Sequence, residues 1–184
     1  MKHLQLPLTI EERTSLRAGE MILLSGVIYT ARDAAHKRLN ELLDQGKELP
    51  LPLQDQIIYY VGPTPTPPGH IYGSAGPTTS MRMDAYAPRL YDLGVGITIG
   101  KGYRTAAVRE ACVRDHALYL VAIGGAGALL SRCIKKAEII AYEDLGAEAL
   151  RRLEVEDLPA FVIIDSEGNN LYETGRKEYL ESIR

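Results

Sequence analysis

Two cysteines, Cys112 and Cys133, are all the chain has. An iron–sulfur cluster takes about four thiolates, so the chain builds none of its own, and two thiols make no disulfide scaffold. There is no excess of positive charge either. Lys and Arg number 21 against 24 Asp and Glu, for a formal net charge of −3 and a sequence pI near 5.8. Proteins that neutralise many phosphates are basic, which sets nucleic acid aside as the default partner. Long apolar runs are missing too: the longest, residues 117–130, is 14 residues interrupted by three glycines. A bilayer span needs about 20. Met1-Lys2-His3 passes into Leu-Gln-Leu-Pro-Leu and then Glu11-Glu12, without the apolar stretch and cleavage site of a signal peptide. The expectation is a cytoplasmic protein, with no membrane contact and with reduced thiols acting as small buried hydrophobes.

What is present is globular. The chain has 184 residues, 46% hydrophobic and 24% charged, the size and balance of one domain. Residues 21–29 are apolar and β-prone and read as a strand. Thr30 offers a side-chain oxygen to the helix 31–45, with Ala35, Leu39, Leu42 and Leu43 on one side and Gly46 as the stop. Residues 57–61 form a second strand, and the four prolines of 62–70 exclude regular structure there. A Gly/Thr-rich loop (73–80), a helix (83–93), a strand (95–99), a helix (105–116) and a strand (117–123) follow. Further strands are predicted at 137–142 and 160–165, with a turn at 166–169 leading into an extended 170–172. Strands alternating with helices predict one compact α/β domain with a largely parallel sheet.

Polar and charged groups gather at the glycine-marked ends of the strands, where such sheets bind ligands. Arg32, in the first helical turn, opposes the helix dipole. Either it pairs with a neighbouring acid, or it joins the helix amides to hold a carboxylate or phosphate. His36 shares that face and reads as a structural hydrogen-bonder. In Gly76-Pro77-Thr78-Thr79-Ser80-Met81-Arg82-Met83-Asp84, Thr79 or Ser80 with Asp84 would make a helix cap. Capping leaves Arg82 and the preceding Gly-Pro-Thr-Thr unexplained, so a site is the other reading. Lys101, between Gly100 and Gly102, sits in a plain turn or points into the same site. Gly124-Gly125-Ala126-Gly127 reads as a tight turn with close backbone packing. The full Gly-x-x-x-x-Gly-Lys-Ser/Thr of a P-loop is absent, as are His-Glu-x-x-His, Gly-x-Ser-x-Gly and Cys/His metal spacing. Two arginines, a lysine, hydroxyls and amide-rich turns suit a small polycarboxylate, and no nucleophile–base pair accompanies them.

The strings Thr30-Ala31-Arg32-Asp33-Ala34-Ala35-His36, Gly76 to Asp84, Ile99-Gly100-Lys101-Gly102 and Gly124-Gly125-Ala126-Gly127-Ala128 occur in that order. By them the chain resembles the β subunit, or C-terminal domain, of the iron–sulfur-dependent hydro-lyases, class I fumarate hydratase and L-tartrate dehydratase. The likeness runs over nearly the whole chain, including Asp157-Leu158-Pro159-Ala160-Phe161 to Asp165. It implies a swivelling β/β/α domain over residues 1–184. It also implies a separate α subunit that carries a 4Fe–4S cluster, an α2β2 assembly, and no metal ligand on this chain. On the matching positions, Arg32 and Arg82 would bind the substrate carboxylates beside Thr79 and Gly100. Lys101 would be a further active-site cation, and Thr78 the base that takes the C3 proton. The expected reaction interconverts fumarate and malate. The alternatives are dehydration of tartrate to oxaloacetate, or a non-catalytic module that binds an anion or nucleotide.

Overall fold

The structure is a computed structural model that describes residues 1–123 and 125–182; Gly124 of the Gly-Gly-Ala-Gly turn lies outside the described residues. The chain opens with β1 (Lys2–Gln5) and α1 (Ile10–Ser15), then β2 (Met21–Thr30), α2 (Asp33–Asp44) and β3 (Ile57–Tyr59). After the proline-rich loop come a 3-10 turn (Ser80–Met83), α3 (Ala87–Asp92), β4 (Ile97–Gly100), α4 (Ala106–Arg114) and β5 (Leu118–Val121). The chain continues with α5 (Gly127–Arg132), β6 (Ile134–Ala141), a second 3-10 turn (Glu143–Glu148), β7 (Leu150–Ile164) and α6 (Leu171–Ser182).

The result is one α/β domain whose sheet is mixed rather than largely parallel. Strands β1 to β5 pair in parallel, but β7 runs antiparallel to β2, β5 and β6. On one edge β7 pairs with β2 along its length; on the other it pairs first with β6 and then with β5. Strands β2-β3-β4-β5-β7 therefore close a ring. Alternation along the strands sorts the core into two faces. Ile57, Tyr59, Ile97, Ile99, Leu118 and Leu120 pack in one cluster with Ile28, Leu153 and Val162. Ile58, Tyr60 and Tyr119 face the other way, against Ala35 of α2, Leu90 and Tyr91 of α3 and Val108, Ala111 and Cys112 of α4.

The strand expected at 160–165 is thus the end of a 15-residue strand. Its first part reads poorly because charges alternate there and Pro159 lacks a donor. That proline lies between the stretch paired to β6, ending at Val155, and the stretch paired to β5, starting at Phe161. A missing N–H costs nothing on an edge with no ladder partner. The helix expected at 83–93 is split, because Pro88 falls in the first turn of α3. The extended 170–172 is instead the start of α6: Asn170 Oδ1 accepts the Tyr172 N–H at 3.1 Å and opens a helix there. Cys112 is buried in the core, where burial pushes its thiol up to about 12. Cys133 is half-buried, and burial likewise raises its thiol. No helix among the described residues is long and apolar enough to cross a membrane.

Candidate functional site

The site assembles at the C-terminal ends of the neighbouring parallel strands β2, β3 and β4. Past β3 the chain makes its proline-rich excursion and returns, with Pro77 bridging Val61. The Thr78 N–H donates to the Tyr60 carbonyl at 2.7 Å, and the Thr78 carbonyl accepts the Lys101 N–H at 3.1 Å. The Ser80 N–H then donates to the Lys101 carbonyl at 2.9 Å, and Thr79 and Lys101 form a parallel bridge. The Gly-Pro-Thr-Thr string is therefore an extra rung between the ends of β3 and β4. It sets Thr78, Thr79 and Lys101 side by side by backbone bonds alone. Gly100 makes this possible. A Cβ there would collide with Ser80 Oγ and meet Tyr60 Cδ2 at 3.0 Å, so only glycine lets the string close over β4. Thr78 is half-buried; Thr79 and Lys101 are exposed, and no described acid pairs with Lys101.

Arg32 stands at the junction of β2 and α2, and Arg82 in the 3-10 turn that follows the string. One carboxylate draws them together. Asp33 Oδ2 lies 2.9 Å from Arg82 Nη2 and 4.0 Å from Arg32 Nη2. Neither contact has hydrogen-bond geometry, and that oxygen, like Arg32 Nε, is buried without a hydrogen bond. The Arg32 guanidinium also rests on Gly62, where a Cβ would fall 3.1 Å from its Cδ and 3.2 Å from its Cζ. Of the two readings of Arg32, pairing with an acid is what the structure shows, but the pairing links it to Arg82.

Three groups escape a sequence reading. The first is Glu148, which arrives from 114 residues away: its Oε2 accepts the Ala34 N–H at 2.9 Å and its Oε1 lies 3.5 Å from Arg32 Nη2. It does for α2 what was expected of Thr30, whose hydroxyl instead accepts the Arg151 N–H at 3.1 Å and donates to the Ala149 carbonyl at 3.4 Å. The second is the reach of Asp33: a neighbouring acid for Arg32 was expected, but not that its Oδ2 would also lie beside Arg82. The third is Arg104. Its Nε donates to Asp84 Oδ1 at 2.6 Å with both side chains buried, and its guanidinium lies 4.7 Å from the Tyr119 ring and 5.4 Å from Tyr60. Burial works against the Arg104 charge, but Tyr60, Tyr91, Asp84 and Tyr119 more than offset it, so its pKa is raised. Asp84 also accepts the Thr105 N–H at 2.6 Å, at the start of α4. The cap expected from Thr79 or Ser80 with Asp84 is not formed. Thr79 makes no capping bond, and the Ser80 hydroxyl accepts from the Tyr119 hydroxyl at 2.9 Å.

His36 is fully buried, with its ring 5.4 Å from Tyr60 and 5.9 Å from Tyr86. Its Nδ1–H donates to the Arg32 carbonyl at 2.8 Å, and Nε2 has no hydrogen-bond partner. That fixes the neutral tautomer and the backbone at Arg32. Burial, helped by the Arg104 charge, pushes its pKa from 6.5 down to about 4, against the pull of the Arg32 carbonyl and Asp33. The unfolded chain then binds the proton more tightly than the native one, so stability rises with pH between these values. We expect the urea midpoint to fall as pH drops from about 6.5 to about 4 and to level below. His36→Gln should flatten that limb; an equally steep limb in the variant would assign the dependence to other groups.

In the Gly-rich turn, the Ala75 N–H donates to the Gly127 carbonyl at 2.9 Å, and a Cβ on Gly127 would reach Gly76 N at 2.9 Å. Close backbone packing is its visible role. Four large apolar side chains around these loops are exposed: Met81, Tyr103, Ile123 and Leu129.

Residues 2–175 match the family described as Fumarase C-terminus. Over 152 residues the chain is 46% identical to the anaerobic class I fumarate hydratase of Escherichia coli K12, an alignment covering 82% of this chain and 28% of that protein. It is 42% identical to fumarate hydratase 2 of Leishmania major, over 84% of this chain and 28% of that one. A protein of Methanocaldococcus jannaschii named "Putative L(+)-tartrate dehydratase subunit beta" is 34% identical, over 96% of this chain and 93% of its own length. The chain thus spans under a third of the two fumarate hydratases and nearly all of the third protein. With a match along almost its whole length and relatives of this identity, the chain belongs to the fumarase C-terminal family.

Proposed function

We propose that this chain is the β subunit of a fumarate hydratase, interconverting fumarate and (S)-malate together with a separate α subunit that carries a 4Fe–4S cluster. One observation carries the reading: in a member of this family, the C-terminal ends of neighbouring strands carry Arg32 and Arg82, linked through Asp33, and Lys101, joined by backbone to Thr78 and Thr79. Three cations face two carboxylates there, Asp33 and Glu148, leaving one net positive charge for a dianion. Half-exposed Arg82, held among the described residues only by Asp33, is the group free to turn to a substrate carboxylate. Guanidinium forks bind such groups bidentately.

Removing a proton beside a carboxylate builds negative charge on that carboxylate, and Arg32, Arg82 and Lys101 are the donors placed to stabilise it. Thr78 is the base in this proposal. A hydroxyl is a weak base, and Lys101, joined to Thr78 by the backbone rung, is the cation that would favour its ionised form. The chain itself does not fit a cluster: Cys112 is sealed in the core, and no group of three His, Cys, Asp or Glu among the described residues is disposed to hold a metal. When bound on the α subunit, the cluster supplies a Lewis acid for the substrate hydroxyl.

The relative named as a subunit beta, matched over 93% of its length, supports a two-chain enzyme. So do the exposed Met81, Tyr103, Ile123 and Leu129, a fitting surface for a partner around the site. The proposal takes residues 1–184 as one swivelling β/β/α domain in an α2β2 complex in the cytoplasm. The test is anaerobic reconstitution with the cluster-bearing subunit, assayed on malate and on tartrate. Malate should turn over and the lone chain should not. A complex with an intact cluster and no hydration activity would refute the reading, turnover of tartrate alone would make it a tartrate dehydratase, and turnover by the lone chain would remove the need for a partner.

A further inference from the structure

We infer that Glu148 is a positioning residue for substrate binding, acting through Arg32; the inference rests on Arg32 being a substrate-carboxylate binder. Its carboxylate spans two targets at the mouth of the site. One oxygen takes the Ala34 N–H in the first turn of α2, and the other faces the Arg32 guanidinium. Arg32 is the N-cap residue of α2 and makes no side-chain capping bond. A negative group placed there satisfies an orphan amide and the helix dipole while it pins the guanidinium.

The turn that carries Glu148 is itself fastened. Arg151 donates to the carbonyls of Gly146, Ala147 and Ala149, which bracket Glu148, at 2.8, 3.2 and 3.3 Å. Thr30, two residues before Arg32, bonds Ala149 and Arg151. Asp144 accepts both Nη groups of Arg38 from the next turn of α2. A solvated ion pair between free side chains is worth little. Here the carboxylate is three-quarters buried, its backbone is tied on both sides, and one oxygen is committed to an amide. With Gly62 behind the guanidinium, Glu148 bounds the second side of the slot in which Arg32 lies. The distance in sequence is informative too: only a docked turn brings this acid to β2.

The test uses the reconstituted complex and the full isotope-labelled chain. Glu148→Gln keeps the shape and an oxygen for the Ala34 amide but removes the charge. We expect KM for malate to rise about tenfold with kcat nearly unchanged, as for a lost uniform binding contribution. In the Arg32→Lys background the same change should have almost no effect, because coupled residues are non-additive. In the labelled chain, the Arg32 Nε–H resonance, assigned by its loss in Arg32→Lys, should exchange with water about tenfold faster in Glu148→Gln, as opening becomes easier. An unchanged KM, a KM effect that persists in the Arg32→Lys background, or an unmoved Arg32 resonance with a lowered melting temperature would each overturn the inference. Absence of malate turnover by the unmodified complex would sink the functional reading instead, and the resonance would still decide whether Glu148 holds Arg32.

Discussion

Replacing Arg82 with alanine is expected to lower kcat/KM for malate roughly a hundred- to a thousandfold, the scale of losing one donor aimed at developing charge. The cluster spectrum of the assembled enzyme should not change. The two halves of this expectation come from different facts. Arg82 is the more accessible arginine of the proposed clamp, 52% exposed and, among the described residues, paired only to Asp33, so it contributes little to the fold and surface truncations of this kind are nearly neutral. It also sits three residues beyond Thr79 of the Thr79–Lys101 rung, and under the proposed function it reaches the carboxylate that Arg32 holds. Arg82→Lys separates charge from shape, since an ammonium keeps the first and loses the fork. If lysine restores most of the rate, simple attraction suffices; if it restores little, bidentate geometry is the requirement. An unaltered rate in Arg82→Ala would take this residue out of the site.

The largest effect on stability belongs to a residue of the same string with a different task. Asp84→Ala would strand the Arg104 guanidinium among Tyr60, Tyr91 and Tyr119 with no counter-charge. Breaking a buried pair from one side costs about 3–5 kcal/mol, or a fall in melting temperature of roughly 10 °C for a chain of this size. The Thr105 amide at the start of α4 loses its acceptor as well. Replacing both partners, Asp84→Leu with Arg104→Met, should be milder than Asp84→Ala alone, because no charge is left uncompensated. A melting temperature unmoved in Asp84→Ala would show that the tyrosine rings and the Thr98 hydroxyl, which accepts from Arg104 Nη1 at 3.0 Å, satisfy Arg104 without it.

These two neighbours, Arg82 and Asp84, mark how far the sequence can be read. Local order is legible wherever one segment decides it: the strand ending at Thr30, the helix stopped by Gly46, whose φ is +64, and the proline-rich excursion. The site string is legible as unusual, since a plain cap needs neither Arg82 nor the Gly-Pro-Thr-Thr. What it does is settled by distant residues. Asp84 reads as a first-turn acid and is instead the counter-ion of Arg104; Thr30 reads as a cap and yields that place to Glu148. Both exchanges depend on which element lands beside which, and no spacing within a segment encodes that. The half of β7 rich in charge was hidden for a related reason. Its residues pair with β2 on one edge and β6 on the other, but Arg151, Arg152 and Glu154 are only half-buried on the sheet's faces, so polar side chains are tolerated and the alternation is blurred. Gly100 is legible as a glycine but not as the hole that Ser80 fills.

The closing of the ring by β7 has a bearing on how the protein is made. Residues 150–164 are translated after the six other strands described here, yet they supply the partner for one whole edge of β2 and for β5. Until they emerge, the ribosome holds a chain in which β2 and β5 each have a bare edge and β6 is unpaired, the kind of edges that recruit other chains. The ladder they complete joins residues more than a hundred positions apart, and such distant pairings form slowly. Arg32, just past the end of β2, and Glu148, just before β7, are brought together by that ladder. A chain cut before β7 would carry every motif of the site but lack the ladder that seats Glu148 beside Arg32.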